Sequence, residues 1–199
     1  MSNQWQWRRL VVSAVVVIVA GCATTEYRDP YFIETETNAN IYVSPGTLHI
    51  VKVAVLPFKA PTELIGLSVS DMFVTELLRT GSYELVERGQ MTGVLNETEL
   101  SLAGLSAAKA IEIGSMLGAE GVVIGTVDEY STVAVRGHPY PVVGVSARLI
   151  DCKTGKIMWS MDLGKRAEHK KTTLSQHARL VVHEMTAALY QDWRKSKGK

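Results

Sequence analysis

The chain has 199 residues, 46% of them hydrophobic, with 21 Lys and Arg against 20 Asp and Glu and a formal net charge of +1. That length holds one domain with a sizeable core, and the near-neutral balance excludes the strongly basic surface with which proteins usually meet nucleic acid. Two cysteines exclude a disulfide framework.

At the N-terminus, Arg8 and Arg9 precede a core from Leu10 to Ala20 that is apolar but for Ser13 and ends on the small pair Ala20-Gly21. This is the order of an export signal. As a helix the core spans roughly 17 Å, too short for the ~30 Å hydrocarbon layer, so a permanent span is not expected. Val19-Ala20-Gly21-Cys22 resembles the lipobox of bacterial lipoproteins. The resemblance implies diacylglycerol on the Cys22 sulfur, cleavage between Gly21 and Cys22, and a further acyl chain such as palmitate on the new terminus. Two such chains anchor stably, since each buried methylene contributes about 0.8 kcal/mol. Ala23, where Asp would retain a lipoprotein at the inner membrane, implies sorting to the outer membrane. A secretory signal with a chance cysteine, or a short retained anchor, is the alternative. Removing residues 1–21 takes away Arg8 and Arg9 and turns the charge from +1 to −1. Cys152 is then left without an intrachain partner, and reads as a small semi-buried residue instead of a reactive thiol.

Residues 22–49 form a polar tether after the lipidated cysteine, with Pro30 and Pro45 as breakers and some order near Ile41-Tyr42-Val43. Its 27 residues from Ala23 reach at most about 90 Å, which lets the folded part work away from the membrane surface. A single domain is expected over residues 50–193, followed by a basic tail, 194–199. Ile50 to Phe58, almost continuously apolar and β-branched, predicts a strand covered on both faces. Leu67, Met72 or Phe73, Leu77 and Leu78 recur at helical spacing up to a closing Gly81. A short strand, "SYELVER", leads into a second helical run with Met91, Val94 and Leu95. Ser106 is placed to cap a third helix that ends at Gly118. "EGVVIGTVDEY" predicts a strand with Gly125 inside it. Two alternating strands then meet at a turn, Asp151-Cys152-Lys153-Thr154-Gly155. The last helix, about Thr173 to Trp193, lines up Leu174, Ala178, Val181, Val182, Met185, Leu189 and Trp193. The order β-α-β-α-α-β-β-β-α predicts an α/β fold, a mixed sheet packed with helices.

"VKVAVLPF", "YELVERGQMTGVLNETEL", "LGAEGVVIGTVDEY" and "VSARLIDCKTGKIMWS" resemble successive blocks of the CsgG family, named for the curli secretion lipoprotein. Relatives occur among flagellar and peptidoglycan-synthase-activating lipoproteins. The resemblance covers about residues 50 to 190 and implies an outer-membrane lipoprotein facing the periplasm, often a ring-forming oligomer, without enzymatic activity. Glu87 and Arg88 match the family's "ER" step, and Asp151, Thr154 and Gly155 match its hairpin turn; both sets are read as fold-determining.

Curli-type channels build a barrel from two long hairpins per subunit, each strand needing about 9 to 11 residues with lipid-facing apolar alternation. Only a dozen residues lie between Tyr130 and Val142, among them Arg136, His138, Pro139 and Pro141. The second place, Gly164 to Thr172, reads "GKRAEHKKT" with four Lys or Arg. Neither hairpin is therefore expected, and a barrel pore built by this chain is not.

Catalytic patterns are weak. Ser106 and Lys109 match S-x-x-K, and Lys153-Thr154-Gly155 matches K-T-G, two of three elements of penicillin-recognising serine enzymes; the Ser-Asp-Asn element is missing. His183-Glu184 begins a zinc motif that Ala187 breaks. His49, His138, His169 and His177 show no ligand spacing. No P-loop or dinucleotide loop is present, so no metal, cofactor, nucleic acid or small-molecule substrate is expected. Two surfaces remain. The basic residues Lys165, Arg166, His169, Lys170 and Lys171, with Arg194, Lys195, Lys197 and Lys199, are a candidate for anionic lipopolysaccharide or an acidic partner. Val133 to Val143, with Tyr140, is a candidate subunit or partner contact, or else a buried strand edge.

The function expected is that of a non-catalytic lipid-anchored component of an envelope secretion, fibre or flagellar apparatus, acting as a homo-oligomer or with envelope proteins. Activation of a peptidoglycan synthase is the alternative, and a serine acyl-transferring enzyme a remote one.

Overall fold

A computed structural model of the protein describes residues 38–45, 49–94 and 106–197. The export signal, Gly21, Cys22, most of the tether, Leu95 and Lys199 lie outside them. Ten elements follow: β1 (Asn40–Val43), β2 (Lys52–Val55), α1 (Glu63–Thr80), β3 (Glu84–Leu85), α2 (Arg88–Val94), α3 (Ala107–Met116), β4 (Gly121–Val135), β5 (His138–Asp151), β6 (Ile157–Arg166) and α4 (Leu174–Lys197). The strands make one mixed sheet in the order β1-β6-β5-β4-β2-β3.

β2 lies parallel to both β3 and β4, while β4, β5, β6 and β1 are antiparallel neighbours. A strand with partners on both sides and helices over both faces has no solvent side, which is why Val53, Ala54, Val55 and Leu56 are all buried. Alternation along β4 divides the core. Val123 and Val127 join the cluster beneath α1 and α4, and Val122 and Ile124 join the smaller one beneath α2 and α3.

The two long helices are held at their ends by short local bonds. Thr62 Oγ1 accepts from the Ile65 amide at 3.4 Å at the start of α1, and Gly81, at φ 62°, closes it. Ahead of α4, Thr173 and Gln176 bond reciprocally, the Thr173 amide to Gln176 Oε1 at 3.0 Å and the Gln176 amide to Thr173 Oγ1 at 3.2 Å. Ser106 takes the expected place before α3 in extended conformation, but its exposed side chain makes no cap bond, so the expected cap is positional only.

Several boundaries differ from expectation: β2 is confined to Lys52–Val55, and α4 runs past Trp193 to Lys197, into the stretch expected as a basic tail. The sheet begins at Asn40, because Asn40 to Val43 pair with Asp162 to Trp159 instead of belonging to the tether. α1 starts at Glu63, four residues before Leu67. β4 and β5 continue past Tyr130 and Val142 to a turn at Arg136 (φ 49°) and Gly137 (φ 76°), the left-handed pair that a two-residue hairpin requires.

Beneath α4, Trp159 is fully buried and its Nε1 donates to Tyr83 Oη at 2.9 Å; Tyr83 meets Trp193 edge to face at 5.2 Å. Burial pushes the Tyr83 phenol well up. The folded state thus holds a proton that the unfolded chain releases near pH 10, so stability falls as pH rises above that value. We expect Tyr83→Phe to cost about 1–3 kcal/mol at pH 7 by stranding the indole N–H, and to flatten the alkaline fall. Denaturant melts at pH 7 and pH 10.5 read both effects; an unchanged alkaline slope contradicts the assignment.

Candidate interaction surfaces

The first surface is the outer half of the β4–β5 hairpin. β2 accompanies β4 only as far as the bridge between Lys59 and Thr126, and β6 accompanies β5 only to the pair Val142–Arg166. Beyond those points, Glu129 to Val135 and His138 to Pro141 stand as two strands alone. A short hairpin does occupy this place, although none of membrane-spanning length: Pro139 and Pro141 are accommodated in β5 because they fall where a strand N–H points away from β4. Glu129 to Val135 reach roughly 23 Å at about 3.3 Å per residue, short of the 9–11 residues that cross a bilayer. Tyr140 is half-buried, with the Arg166 guanidinium 5.6 Å from its ring centre. Gly164 to Thr172 forms the end of β6 and a turn, not a hairpin of its own.

The second surface is a cleft of about 240 Å³ between the chain leaving β6 and the first half of α4, floored by Ala167, Val181 and Ala187. His177, 3% exposed, donates from Nε2 to the Lys165 carbonyl at 2.7 Å, while its buried Nδ1 has no partner among the described residues. Lys165 Nζ reaches Glu184 Oε2 at 3.0 Å, and Glu184 Oε1 accepts from the Asn38 amide at 3.3 Å. A second carboxylate, Glu76 of α1, is 3% exposed between His183 Nδ1 and Arg79 Nη1, each at 2.9 Å. These contacts tie β6, α1 and the chain before β1 to one helix. Sequence reasoning missed Glu76, for which a lone acid on the apolar stripe of α1 was the available signal, and met Glu184 only as part of the broken zinc motif, not as the partner of Lys165.

The basic residues are not one patch. Lys165 is paired with Glu184 in α4 and Arg166 lies on Tyr140 of the hairpin, whereas Arg194 and Lys195 stand ten and eleven residues beyond Glu184, about 15 Å along the helix at 1.5 Å per residue. The side chain of Lys197 is not described. Lys170 and Lys171 are exposed.

Of the other singled-out residues, Arg88 Nη2 meets Asp71 Oδ1 at 2.6 Å and Ser70 Oγ at 3.1 Å, fastening α2 to α1, and Glu87 is exposed. Asp151 Oδ1 accepts from the Lys153 and Thr154 amides at 2.7 and 2.8 Å, and Gly155 has φ 71°. Lys109 Nζ bonds both Glu112 oxygens at 3.1 Å, and no hydrogen bond joins it to Ser106 among the described residues. His49, His138 and His169 are exposed and scattered, and no group of three metal-ligating side chains occurs among the described residues. Cys152 is half-buried against α3, where a Cβ on Gly114 would come within 2.7 Å of its Sγ.

The profile of the family described as "Curli production assembly/transport component CsgG" matches residues 53–184, two thirds of the chain. Among solved structures, the PelC dodecamer from Paraburkholderia phytofirmans is 22% identical over 76% of this chain and 96% of its own, with a TM-score of 0.57. Lipoprotein GNA1162 from Neisseria meningitidis is 21% identical over 72% of this chain and 99% of its own, with a TM-score of 0.52. These likenesses establish the fold. No curated protein matches the sequence.

Burial, and then the neighbouring Asp151 carboxylate, push the Cys152 thiol up to about 11. The thiolate is the reactive form. Alkylation at pH 8 is therefore expected to run about a hundredfold slower in the folded protein than in denaturant, and equal rates contradict the burial.

Proposed function

The chain belongs to the CsgG family, and from that premise we propose that it is a non-catalytic lipoprotein on the periplasmic face of the outer membrane. There it serves as a structural or assembly component of an envelope secretion, fibre or flagellar apparatus. The observation that carries the reading is the family's domain over residues 53–184 standing behind an N-terminal sequence with the pattern of an export signal, ending in Val19-Ala20-Gly21-Cys22. The lipid on Cys22 supplies the membrane attachment, and the residues before Asn38 supply reach. Homo-oligomerisation is part of the proposal, supported by the dodecameric state of PelC and by the unpaired strand edges of the hairpin. GNA1162, itself a lipoprotein, supports the anchor.

Two contacts support a non-catalytic reading: Lys109 is engaged by Glu112, and the Lys153-Thr154-Gly155 turn is organised by Asp151. The hairpin, too short to cross a bilayer at about 23 Å of arm, suits contact between proteins outside it.

Metabolic labelling with palmitate, followed by separation of inner and outer membranes, tests the anchor. The wild-type chain is expected to carry label and to sediment with the outer membrane. Cys22→Ser is expected to lose all label and to leave that fraction. Unchanged fractionation of Cys22→Ser overturns the proposed attachment and place.

A further inference from the structure

The projecting hairpin has two edges of unequal character, and the hydrogen bonds of the sheet assign them residue by residue. In β4, the Leu56 amide donates to Val123 O, the Lys59 amide to Gly125 O and the Val127 amide to Lys59 O, so residues 123, 125 and 127 present their main chain to the β2 side. Asp128 is then an extra residue: Val127 pairs with Val145, but Glu129 pairs with Gly144. A bulge of this kind reverses the alternation. Glu129, Ser131, Val133 and Val135 thereafter bond to β5, and Tyr130, Thr132 and Ala134 turn their N–H and C=O groups outward. No hydrogen bond is made to those outward groups among the described residues.

On the opposite edge, the outward positions of β5 are 139 and 141, as the 2.7 Å bond from the Ala167 amide to Pro141 O confirms. Both are proline, with no N–H to offer. One edge is thus blocked against strand addition, and the other, with Thr132 and Ala134 exposed, is open.

We propose that the open edge, Asp128 to Arg136, pairs antiparallel with the same edge of a second copy of this chain about a two-fold axis at Thr132. This deepens the homo-oligomer reading above and rests on it. The occupant follows from register and charge. With Thr132 opposite its symmetry mate, Tyr130 faces Ala134 and Ala134 faces Tyr130, so all three outward residues meet outward residues, each pair exchanging two hydrogen bonds. The same register sets Asp128 of each copy beside Arg136 of the other, an acid at the root of the arm and a base at its tip. A two-fold contact closes on itself, which prevents the open edge from seeding a fibre. Confinement of lipidated copies to one membrane raises their effective concentration for so short a ladder.

The test uses the full lipidated chain in detergent micelles, on a Cys152→Ser background. Directly opposite residues in a hydrogen-bonded pair sit about 5.5 Å apart at Cα, the spacing a disulfide favours. Thr132→Cys is therefore expected to form a cross-linked dimer under mild oxidation, and Ser131→Cys, which faces position 133 in this register, is not. Asp128→Arg and Arg136→Asp should each weaken association roughly tenfold, through two lost cross-strand pairs. The double exchange should restore it. Thr132→Pro removes an outward N–H that the β4–β5 ladder does not use, and should abolish pairing while circular dichroism stays native. An oligomer indifferent to Thr132→Pro and to the charge exchange overturns the hairpin contact and leaves the oligomer reading intact. A chain monomeric at every concentration overturns both.

Discussion

The antiparallel ladder between β4 and β5, running from Gly121–Asp151 to Val135–His138, is the constraint on which the other features depend. Its inner half is the middle of the sheet, with β2 on one flank and β6 on the other and helices on both faces. Its outer half has no such support. Because a strand pair is continuous, the buried half fixes the direction and register of the exposed half. A two-stranded hairpin alone in water is marginal, and here it extends from a fully packed root.

Packing at that root shows how little freedom remains. A Cβ on Gly125 would come within 2.5 Å of the Phe58 ring, which itself leans on Phe73 with centroids 5.1 Å apart. The strand is thereby pressed against β2 and α1 at the point where it is about to leave the sheet. On the far side, α4 is drawn to the sheet through Trp159, Met161, Val181 and Met185, all buried. Its polar contacts, Lys165 with Glu184 and Glu76 with His183, set the register of the helix. Such pairs contribute orientation more than net stability, since removing charge from water offsets much of the attraction.

Much of this was legible in the amino-acid order. β2 was recognisable because a parallel central strand has no polar face to display, and α4 because its apolar stripe persists over six turns. The turn at Asp151 was equally plain, since an acid two and three residues before the amides it accepts, with a glycine after, leaves few alternatives. The hairpin tip was not, because Arg136, His138, Pro139 and Pro141 argue only against a membrane-spanning hairpin and leave Val133 to Val143 open between a contact surface and a buried strand edge. Whether a proline breaks a strand depends on which way its missing N–H would have pointed, and that is decided by register with the partner strand, here Ala134 opposite Pro139 and Thr132 opposite Pro141. The cue that was present is Arg136-Gly137 between alternating Val133, Val135 and Tyr140, Val142. Short β1 was half visible for a similar reason, four residues whose strand character is conferred by β6. The contacts of Glu76, Glu184 and His177 were beyond reach of pattern, because their partners come from other elements. The separation of Lys165 to Lys171 from Arg194 and Lys195 follows from one continuous helix lying between them.

What joins fold to role is the idea that the hairpin is a preformed platform and not a loop that happens to be extended. Amide hydrogen exchange on the dilute full-length chain in micelles measures this most directly. The account predicts an alternating pattern beyond the bulge, with the amides of Ser131, Val133 and Val135 protected by β5 and those of Tyr130, Thr132 and Ala134 exchanging freely. Uniformly fast exchange from Glu129 to Val142 would contradict it.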